Sequence, residues 1–215
     1  FAERKLYLPQ KHTDNERVKK YLLGRGIAGE IIEYCIAQKL LYEESRYHNA
    51  VFIGYDGGNP KYAAIRGTNT KRRFLAEAGG SNKAFCFCLC KGKDKLNVFE
   101  SAIDAMSYAS MVLEVGDDWT QQTYLSLGGV YKNNQNRLPI ALEKYLSEYG
   151  EPQEIILRLD NDEVGRTATK GILSMLKSPN AKAVFCAEGK DYNEFLMMQK
   201  GLFSSDRSCG KEMDR

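Results

Sequence analysis

The stretch Ile155-Ile-Leu-Arg-Leu-Asp-Asn-Asp-Glu-Val-Gly-Arg166 decides the fold of this chain. Four of the five residues before Asp160 are apolar, which is typical of a buried strand in a parallel sheet. This strand ends at two carboxylates, Asp160 and Asp162, and a helix-like run follows. Carboxylates two residues apart on an extended tip point the same way, so they can share one hard cation. The stretch therefore predicts a divalent-metal site at the end of a strand.

A second segment of the same design lies upstream. Leu96-Asn-Val-Phe-Glu100 is typical of a strand, and a helical run over 101–113 follows at once. Glu100 and Asp104 are four residues apart, so we expect them to lie on one face of the first helical turn. Two strand ends that carry acids, in one parallel sheet, predict a magnesium site.

From Leu96 onward the pattern alternates between strands and helices. The expected strands are 96–99, 124–127, 154–159 and 182–187, and the expected helices are 101–114, 137–149, 163–176 and 191–200. This alternation predicts an α/β fold with a mainly parallel four-stranded sheet and helices on both faces. Ligands of such sheets bind beyond the carboxyl ends of the strands. The residues expected at those ends are Glu100, Gly128, Asp160 and Glu188.

The residues before 96 follow a different pattern. We expect a helix from Glu16 to about Leu23, opened by a capping box of Thr13 and Glu16, and a second helix over about 29–39. Further expected elements are a hairpin of 50–56 with 61–66 and a strand over 84–90. The predicted organisation is a basic α+β subdomain over 1–95, an α/β domain over 96–202 and a flexible tail over 203–215.

Charge is divided unevenly along the chain. Residues 1–95 hold 18 Lys and Arg against 10 Asp and Glu, a net charge of +8, whereas the remainder holds 13 against 18, a net charge of −5. A basic half beside an acidic half favours a polyanion-binding module next to a cation-binding one. Ordinary surface charge is the alternative interpretation.

The six cysteines of this 215-residue chain do not predict a disulfide framework, since no secretory signal is apparent. Cys86, Cys88 and Cys90 alternate with apolar residues. Buried small hydrophobes are the better interpretation, because zinc sites usually use cysteine pairs with two residues between them and a second such pair elsewhere in the chain. His12 and His48 lack partners at metal-binding spacing and are expected to be structural or exposed. No apolar run approaches the roughly 18 residues of a membrane span, and we expect a cytoplasmic protein.

The two acidic segments resemble a TOPRIM domain, the metal-binding module shared by bacterial primases, topoisomerases and some nucleases. The resemblance covers roughly residues 94–200 and rests on VFESAIDAMS (98–107), LDNDEVGRTA (159–168) and GKDYNEFL (189–196). In primases the last two are similar to DGDxAGxxA and GKDPDEYL. Asn193 stands where that pattern has a carboxylate, so the resemblance implies a weaker third metal site.

The basic half carries a resemblance of its own. Its motifs are YLLGRGI (21–27), YHNAVFIGYD (47–56), AAIRGT (63–68) and GGSNKAF (79–85). They are similar to the uncharacterised domain that precedes TOPRIM in proteins of bacterial plasmids and conjugative elements. At lower similarity they follow the basic half of a bacterial primase core.

These resemblances imply a primase-like nucleotidyltransferase that depends on Mg²⁺ or Mn²⁺. Its partners would be single-stranded DNA and nucleoside triphosphates, together with the replication or conjugation proteins of a mobile element. Its role would be in replication or transfer of that element. Glu100, Asp160 and Asp162 would be catalytic, and Asp104 and Asp191 would join them as metal ligands. The residues expected to contact nucleic acid or nucleotide are Arg25, Arg66, Lys71, Arg72, Arg73, Lys83 and Lys190.

Other interpretations stay open from the sequence. Asp160 and Glu100 are also suited to capping a helix or complementing its dipole, and Arg25 to capping helix carbonyls. A TOPRIM nuclease would use the same acids for hydrolysis, because both reactions need the same metals. A non-catalytic nucleic-acid-binding module is a third possibility, which Asn193 suggests.

Overall fold

The computed structural model describes residues 5–89, 92–129, 137–176 and 178–202. Within these ranges the chain forms two β-sheets with helices packed around and between them. The predicted tail over 203–215 and Cys90 lie outside the described residues.

The first sheet is antiparallel. Its strands lie in the order β1-β2-β3-β4, so the chain meanders from one edge to the other. The expected hairpin is formed by β2 and β3, with Val51 opposite Ile65. The elements of this half are α1 (Glu16–Leu23), α2 (Gly29–Ala37), β1 (Leu41–Glu43), β2 (Ala50–Asp56), β3 (Asn59–Arg66) and β4 (Leu75–Glu77).

The start of α1 corrects one expectation. The helix begins at Glu16 as predicted, but its N-cap is Asn15 and no side chain caps it, so the capping box at Thr13 is wrong. The Asn15 side chain instead accepts a hydrogen bond from the Glu43 N–H at 2.8 Å. A contact with β1 therefore outweighs the local cap and ties the helix to the first sheet.

The second sheet confirms an α/β fold with a mainly parallel sheet. Its strand order is β5-β7-β6-β8-β9, and every pairing except that of β5 with β7 is parallel. Among the described residues it has five strands rather than the expected four. Its elements are β5 (Cys88–Leu89), β6 (Lys95–Phe99), α3 (Ala102–Glu114), β7 (Thr123–Ser126), α4 (Ile140–Tyr149), β8 (Glu154–Leu157), α5 (Glu163–Leu176), β9 (Ala181–Ala183) and α6 (Tyr192–Gln199).

The expected strand over 84–90 is much shorter in the structure. The Asn82 side chain accepts a hydrogen bond from the Ala84 N–H at 3.0 Å and starts a short 3₁₀ turn. Among the described residues, Cys88 and Leu89 then pair with β7, and the Phe87 carbonyl accepts the Ser126 N–H at 2.9 Å. Cys86 and Phe87 are both buried, in different apolar clusters. The strand belongs to the second sheet although it precedes residue 95, and the domain boundary there stays a prediction.

One apolar core joins the two halves. Helix α3 is buried along most of its length and packs against α2 and α6. Leu22 and Ile31 from the first half share a core with Met106 and Leu196 from the second, each no more than 1% exposed. Each such side chain contributes about 1.5–3 kcal/mol by leaving water. This packing sets the turn between α1 and α2 beside the start of α6.

No helix in the described ranges has both the length and the apolar character needed to cross a membrane.

Candidate active site

The order of the parallel strands creates a crevice at one edge of the second sheet. From β6 the chain moves to β7 on one side and then crosses to β8 on the other, so both strands flank β6. Parallel sheets bind ligands where the strand order reverses in this way, beyond the carboxyl ends. Glu100 follows β6 and Asp160 follows β8, and the register Val98–Leu157 brings the two strand ends level.

Glu100 is held at the floor of this crevice. Its side chain is 7% exposed, and its Oε1 accepts a hydrogen bond from the Asp160 N–H at 3.3 Å. Burial, followed by the negative charge of Asp160, raises the pKa of Glu100 to about 7. The carboxyl group is therefore only partly ionised at neutral pH, because burial penalises its charged form.

Asp160 and Asp162 reach the same point, as their spacing predicted. The ammonium of Lys190 lies 3.1 Å from Asp160 Oδ2 and 3.2 Å from Asp162 Oδ2. Burial raises the pKa of Asp160, whereas a hydrogen bond from the Gly165 N–H lowers the pKa of Asp162. Hydrogen bonding to Asp160 raises the pKa of Lys190. One cation of the chain itself thus lies between the two aspartates.

The helix-capping interpretation applies to Asp162 rather than to Asp160. Asp162 Oδ1 accepts the Gly165 N–H at 2.8 Å, at the first turn of α5. Gly165 is required here, since a Cβ at this position would lie 2.1 Å from the Asp160 carbonyl oxygen. Close packing of α5 against the strand end therefore fixes both aspartates.

Asp104 and Asp191 add two carboxylates from the starts of α3 and α6. Asp104 is buried and accepts hydrogen bonds from the Ser101 hydroxyl at 2.5 Å and the Asn193 N–H at 3.2 Å. Burial, and then the charge of Asp191, raise the pKa of Asp104 well above its usual range. Asp191 caps α6 by accepting the Glu194 N–H at 2.7 Å. The charge of Asp191 raises the pKa of Asp160, and the charge of Asp160 in turn raises the pKa of Asp104.

This donor set fits a hard divalent cation. Carboxylate oxygens are the ligands that Mg²⁺ and Mn²⁺ prefer, and burial of several of them together is costly without a compensating charge. Burial, and after it the charge of neighbouring carboxylates, raises the pKa values of Glu100, Asp104 and Asp160, and a bound cation would offset both effects. Lys190 already occupies part of the position where a cation is favoured.

Asn193 has a structural position that the sequence did not reveal. It is 1% exposed, and its side-chain amide donates to the Arg25 carbonyl at 3.0 Å and the Ser107 hydroxyl at 2.8 Å. A carboxylate could not make these donations. The residue therefore joins the two halves of the chain, beside the acids rather than among them.

A cleft of about 380 Å³ separates the acids from the basic half. Lys190, Asp191 and Glu194 line one wall, and the opposite wall presents arginines. The guanidinium of Arg25 lies 5.6 Å from the Tyr21 ring centre, and Arg66 Nε is 3.4 Å from the Tyr21 hydroxyl. The arginines of this wall, which we call the basic wall, are Arg25, Arg66 and Arg73.

The other basic residues singled out from the sequence lie elsewhere. Lys83 forms an ion pair with Glu77 at 2.9 Å and donates to the Gly128 carbonyl at 3.2 Å. Lys71 and Arg72 are exposed in the segment before β4, and none of these three lines the cleft. Glu188 follows β9 by five residues, because that strand ends at Ala183, so it does not lie at a strand end.

Arg158 is a buried residue near the site that sequence reasoning missed. It is 8% exposed, and its guanidinium lies 3.8 Å from the Tyr108 ring centre. It donates to Asn97 Oδ1 at 2.9 Å, the Tyr192 hydroxyl at 2.8 Å and the Tyr108 hydroxyl at 2.6 Å. The one signal for it was an arginine inside an apolar strand. Arg158 braces the strand end that carries Asp160.

The two histidines lie close together in the first half of the chain. His12 and His48 converge on Glu43 in the first half, and the three side chains offer donor atoms within 4.8 Å of one another. Sequence spacing gave no sign of this cluster, because its members come from separate segments of the chain.

Family models match one segment in each half of the chain. Residues 97–196 match the Toprim-like family, and residues 20–94 match a family described as a protein of unknown function, DUF3991. A search of curated proteins gave no match.

Among solved structures, the chain is similar to bacterial and phage primases. The primase fragment of the bacteriophage T7 primase-helicase aligns with a TM-score of 0.58 and 20% identity over 84% of this chain and 68% of that one. The Escherichia coli primase catalytic core aligns with 0.54 and 14%, over 87% and 70%.

A third match comes from the complex of T7 lagging-strand DNA polymerase with primase domains of two gp4 subunits bound to an RNA/DNA hybrid and dTTP. It aligns with a TM-score of 0.59 and 21% identity, over 83% of this chain and 84% of that one. At such identities these likenesses show a shared fold.

Proposed function

We propose that this chain, in which residues 97–196 match the Toprim-like family and residues 20–94 match DUF3991, is a primase-like, Mg²⁺-dependent nucleotidyltransferase. It would join nucleoside triphosphates on a single-stranded DNA template, in replication or transfer of a mobile element. One observation carries the proposal. A cleft is lined by three arginines and by Lys190, whose ammonium bonds to Asp160 and Asp162 of the carboxylate cluster.

The acids divide into two groups under this proposal. Glu100, Asp160 and Asp162 would hold Mg²⁺ or Mn²⁺ directly, since they meet where β6 and β8 end. Asp104 and Asp191 would hold it less directly, because each already accepts a hydrogen bond from its own helix start. A bound divalent ion in such a site neutralises phosphate charge and activates the attacking oxygen.

The remaining work falls to the walls of the cleft. Lys190 reaches both aspartates and also lines the cleft, so its ammonium is positioned to bind a triphosphate. Arg66 and Arg25 face it and would hold phosphates of the nucleotide or template. Such contacts depend on charge rather than on base sequence.

The first experiment measures incorporation of labelled nucleotides on single-stranded DNA with Mg²⁺ or Mn²⁺. Wild type is compared with the double variant Asp160→Asn, Asp162→Asn, which keeps the shape of both side chains. The matched control is Asp94→Asn, at the opposite edge of the same sheet, where Asp94 bonds to Gln153. We expect metal-dependent product from wild type and control and none from the double variant.

Other outcomes would replace the proposal. Shortening of the input strand without synthesis, absent in the same double variant, would indicate a TOPRIM nuclease. Neither reaction, together with salt-sensitive DNA binding that survives the substitution, would indicate a binding module.

A second experiment tests the basic wall. Arg66→Ala should weaken binding of single-stranded DNA and reduce the steepness of its salt dependence by about 0.7 for each phosphate that the protein no longer neutralises. Lys71→Ala serves as the control, because Lys71 is exposed and does not line the cleft. Equal effects of the two substitutions would place the DNA outside the cleft.

A further inference from the structure

Three side chains of the first half form a cluster far in sequence from the TOPRIM acids. The Nδ1 of His48 lies 2.5 Å from Glu43 Oε1, and the Nδ1 of His12 lies 3.9 Å from the same oxygen. The two imidazole rings are 4.8 Å apart and inclined to each other. One carboxylate oxygen thus faces two imidazole nitrogens.

The central carboxylate is held in place from several sides. Glu43 is 1% exposed, and its Oε2 accepts the Val18 N–H of α1 at 3.0 Å. Its backbone N–H donates to Asn15, and its backbone carbonyl accepts the His12 N–H at 2.8 Å. These bonds fix the Glu43 side chain so that its Oε1 faces the two histidines. Hydrogen-bond partners outside a metal site orient the ligands of the metal in the same way.

His48 is presented to Glu43 by a constrained turn. Its φ is 56°, a left-handed conformation that is costly for a residue other than glycine. The side chain of Glu44 accepts hydrogen bonds from the backbone N–H groups of Arg46 and Tyr47. The His48 carbonyl accepts the Thr68 hydroxyl at 2.9 Å. Backbone strain is retained here to bring one imidazole to the cluster.

The donor set differs in chemistry from the carboxylate cluster. Two imidazole nitrogens and one carboxylate suit a borderline transition-metal ion such as Zn²⁺, whereas oxygen-only sites suit Mg²⁺. With bonds of about 2.0–2.1 Å, tetrahedral zinc ligands lie about 3.3 Å apart. The spacings of 2.5 Å and 3.9 Å to Glu43 Oε1 fall on either side of that value, so small side-chain movements would suffice.

We propose that His12, Glu43 and His48 bind a transition-metal ion of the Zn²⁺ class, separately from the TOPRIM site. Asp14 is near enough to supply a further ligand, since its Oδ1 lies 3.4 Å from His12 Nδ1. The ion would fasten the segment that carries His12 to β1 and to the turn before β2. The proposal stands independently of the nucleotidyltransferase activity, because its residues lie in the other half of the chain.

The test uses the full chain, stripped of metal with a chelator and titrated with Zn²⁺ by calorimetry. Wild type should bind one equivalent tightly and melt at a higher temperature with Zn²⁺ present. The double variant His12→Gln, His48→Gln should lose this binding and this stabilisation. The Asp160→Asn, Asp162→Asn variant should keep both, which separates the cluster from the TOPRIM acids.

Co²⁺ supplies a readout that needs no variant. Bound to wild type, it should give visible absorption typical of nitrogen and oxygen ligands, without the sulfur-to-cobalt band of a cysteine site. The proposal is overturned if wild type binds neither ion stoichiometrically, if a sulfur band appears, or if the double histidine variant, folded by circular dichroism, binds as tightly as wild type. The three residues would then form a hydrogen-bonded group only.

Discussion

The two edges of the second sheet are built from the same residue types but handle charge in opposite ways. We call the side of the sheet where the parallel strands begin the amino edge and the side where they end the carboxyl edge. At the amino edge, Glu154 forms ion pairs with Lys182 and Lys95, and the Lys95 ammonium lies 3.5 Å from Glu154 Oε2. The hydrogen bond from Lys182 lowers the pKa of Glu154. At the carboxyl edge, burial and neighbouring carboxylates raise the pKa of Glu100 and Asp160, although Lys190 is present. The first edge is balanced by its own lysines, whereas the second carries excess negative charge.

A hollow of similar size also lies at the balanced edge. About 480 Å³ opens beside Asp94 and Lys182, against about 380 Å³ for the cleft beside Lys190. Cavity size therefore does not identify the functional edge, whereas uncompensated charge does. Acids that are kept near one another despite this cost are typical of functional sites.

The largest contrast between the two edges is expected in activity. Glu100→Gln should lower nucleotide incorporation at least about 100-fold, equivalent to about 2.7 kcal/mol of transition-state stabilisation, because one metal ligand is removed. Glu154→Gln at the amino edge should leave the rate unchanged. Steady-state incorporation at saturating Mg²⁺ measures both, and equal rates for the two variants would remove the functional distinction between the edges.

The next effect concerns the residue behind the acids. Asn193→Asp should lower the free energy of unfolding by about 1–3 kcal/mol, since the Arg25 carbonyl and the Ser107 hydroxyl lose their donor and another carboxylate is buried near Asp104. Urea denaturation measures the change. Increased stability in Mg²⁺ beyond that of wild type would instead show that a carboxylate at position 193 completes the metal site.

A smaller effect is expected in the pH dependence of stability without metal. The pKa of Glu100 rises from 4.5 unfolded to about 7 folded, so the folded state binds more protons between those values. The free energy of unfolding should therefore fall by about 1–2 kcal/mol as pH rises through this window, after allowance for solvent screening.

Glu100→Gln should reduce that pH dependence and leave the contribution of Asp104 and Asp160, whose pKa values are also raised, whereas Glu154→Gln should not reduce it. Urea denaturation in the presence of a chelator at several pH values checks this. The contrary outcome is a free energy of unfolding that rises between pH 5 and pH 7 in wild type, with the same slope in Glu100→Gln. It would show that ionisation of Glu100 does not destabilise the folded protein.

The smallest effect concerns Lys190. Lys190→Met removes the cation that competes for Asp160 and Asp162, so the concentration of Mg²⁺ needed for half-maximal stabilisation should fall about twofold to fivefold, as each exposed ion pair is worth roughly 0.2–1 kcal/mol. Thermal melting at increasing Mg²⁺ measures this shift. A rise in that concentration would show that Lys190 supports metal binding instead of opposing it.

Sequence patterns predicted the parts of the molecule that depend on local order. Strand periodicity and acid spacing are local properties of a sequence. They therefore predicted the apolar strands that end at Glu100 and Asp160 and the alternation of strands and helices that gives a parallel sheet. The prediction of a strand over 84–90 was wrong, because local alternation does not decide the length of that strand. The Asn82 cap and the pairing with β7 decide it.

Long-range contacts account for what the sequence could not show. The Asn193 side chain donates to the Arg25 carbonyl, 168 positions away in the sequence. In the sequence, Asn193 looked only like the loss of a carboxylate from the GKDYNEFL motif, and this contact between the two halves could not be predicted. The cluster of His12, Glu43 and His48 is assembled from separate segments by the fold of the first sheet. Which basic residues line the cleft likewise depends on how α1 and β3 pack beside α6.

The central claim is that the carboxyl edge holds a divalent cation. Crystals grown with Mn²⁺, and measured at a wavelength where manganese scatters anomalously, test it most directly. We predict an anomalous peak among Glu100, Asp160 and Asp162, with the Lys190 ammonium displaced from the two aspartates. Well-ordered crystals with no peak at these acids, and Lys190 still bonded to both aspartates, would contradict the account.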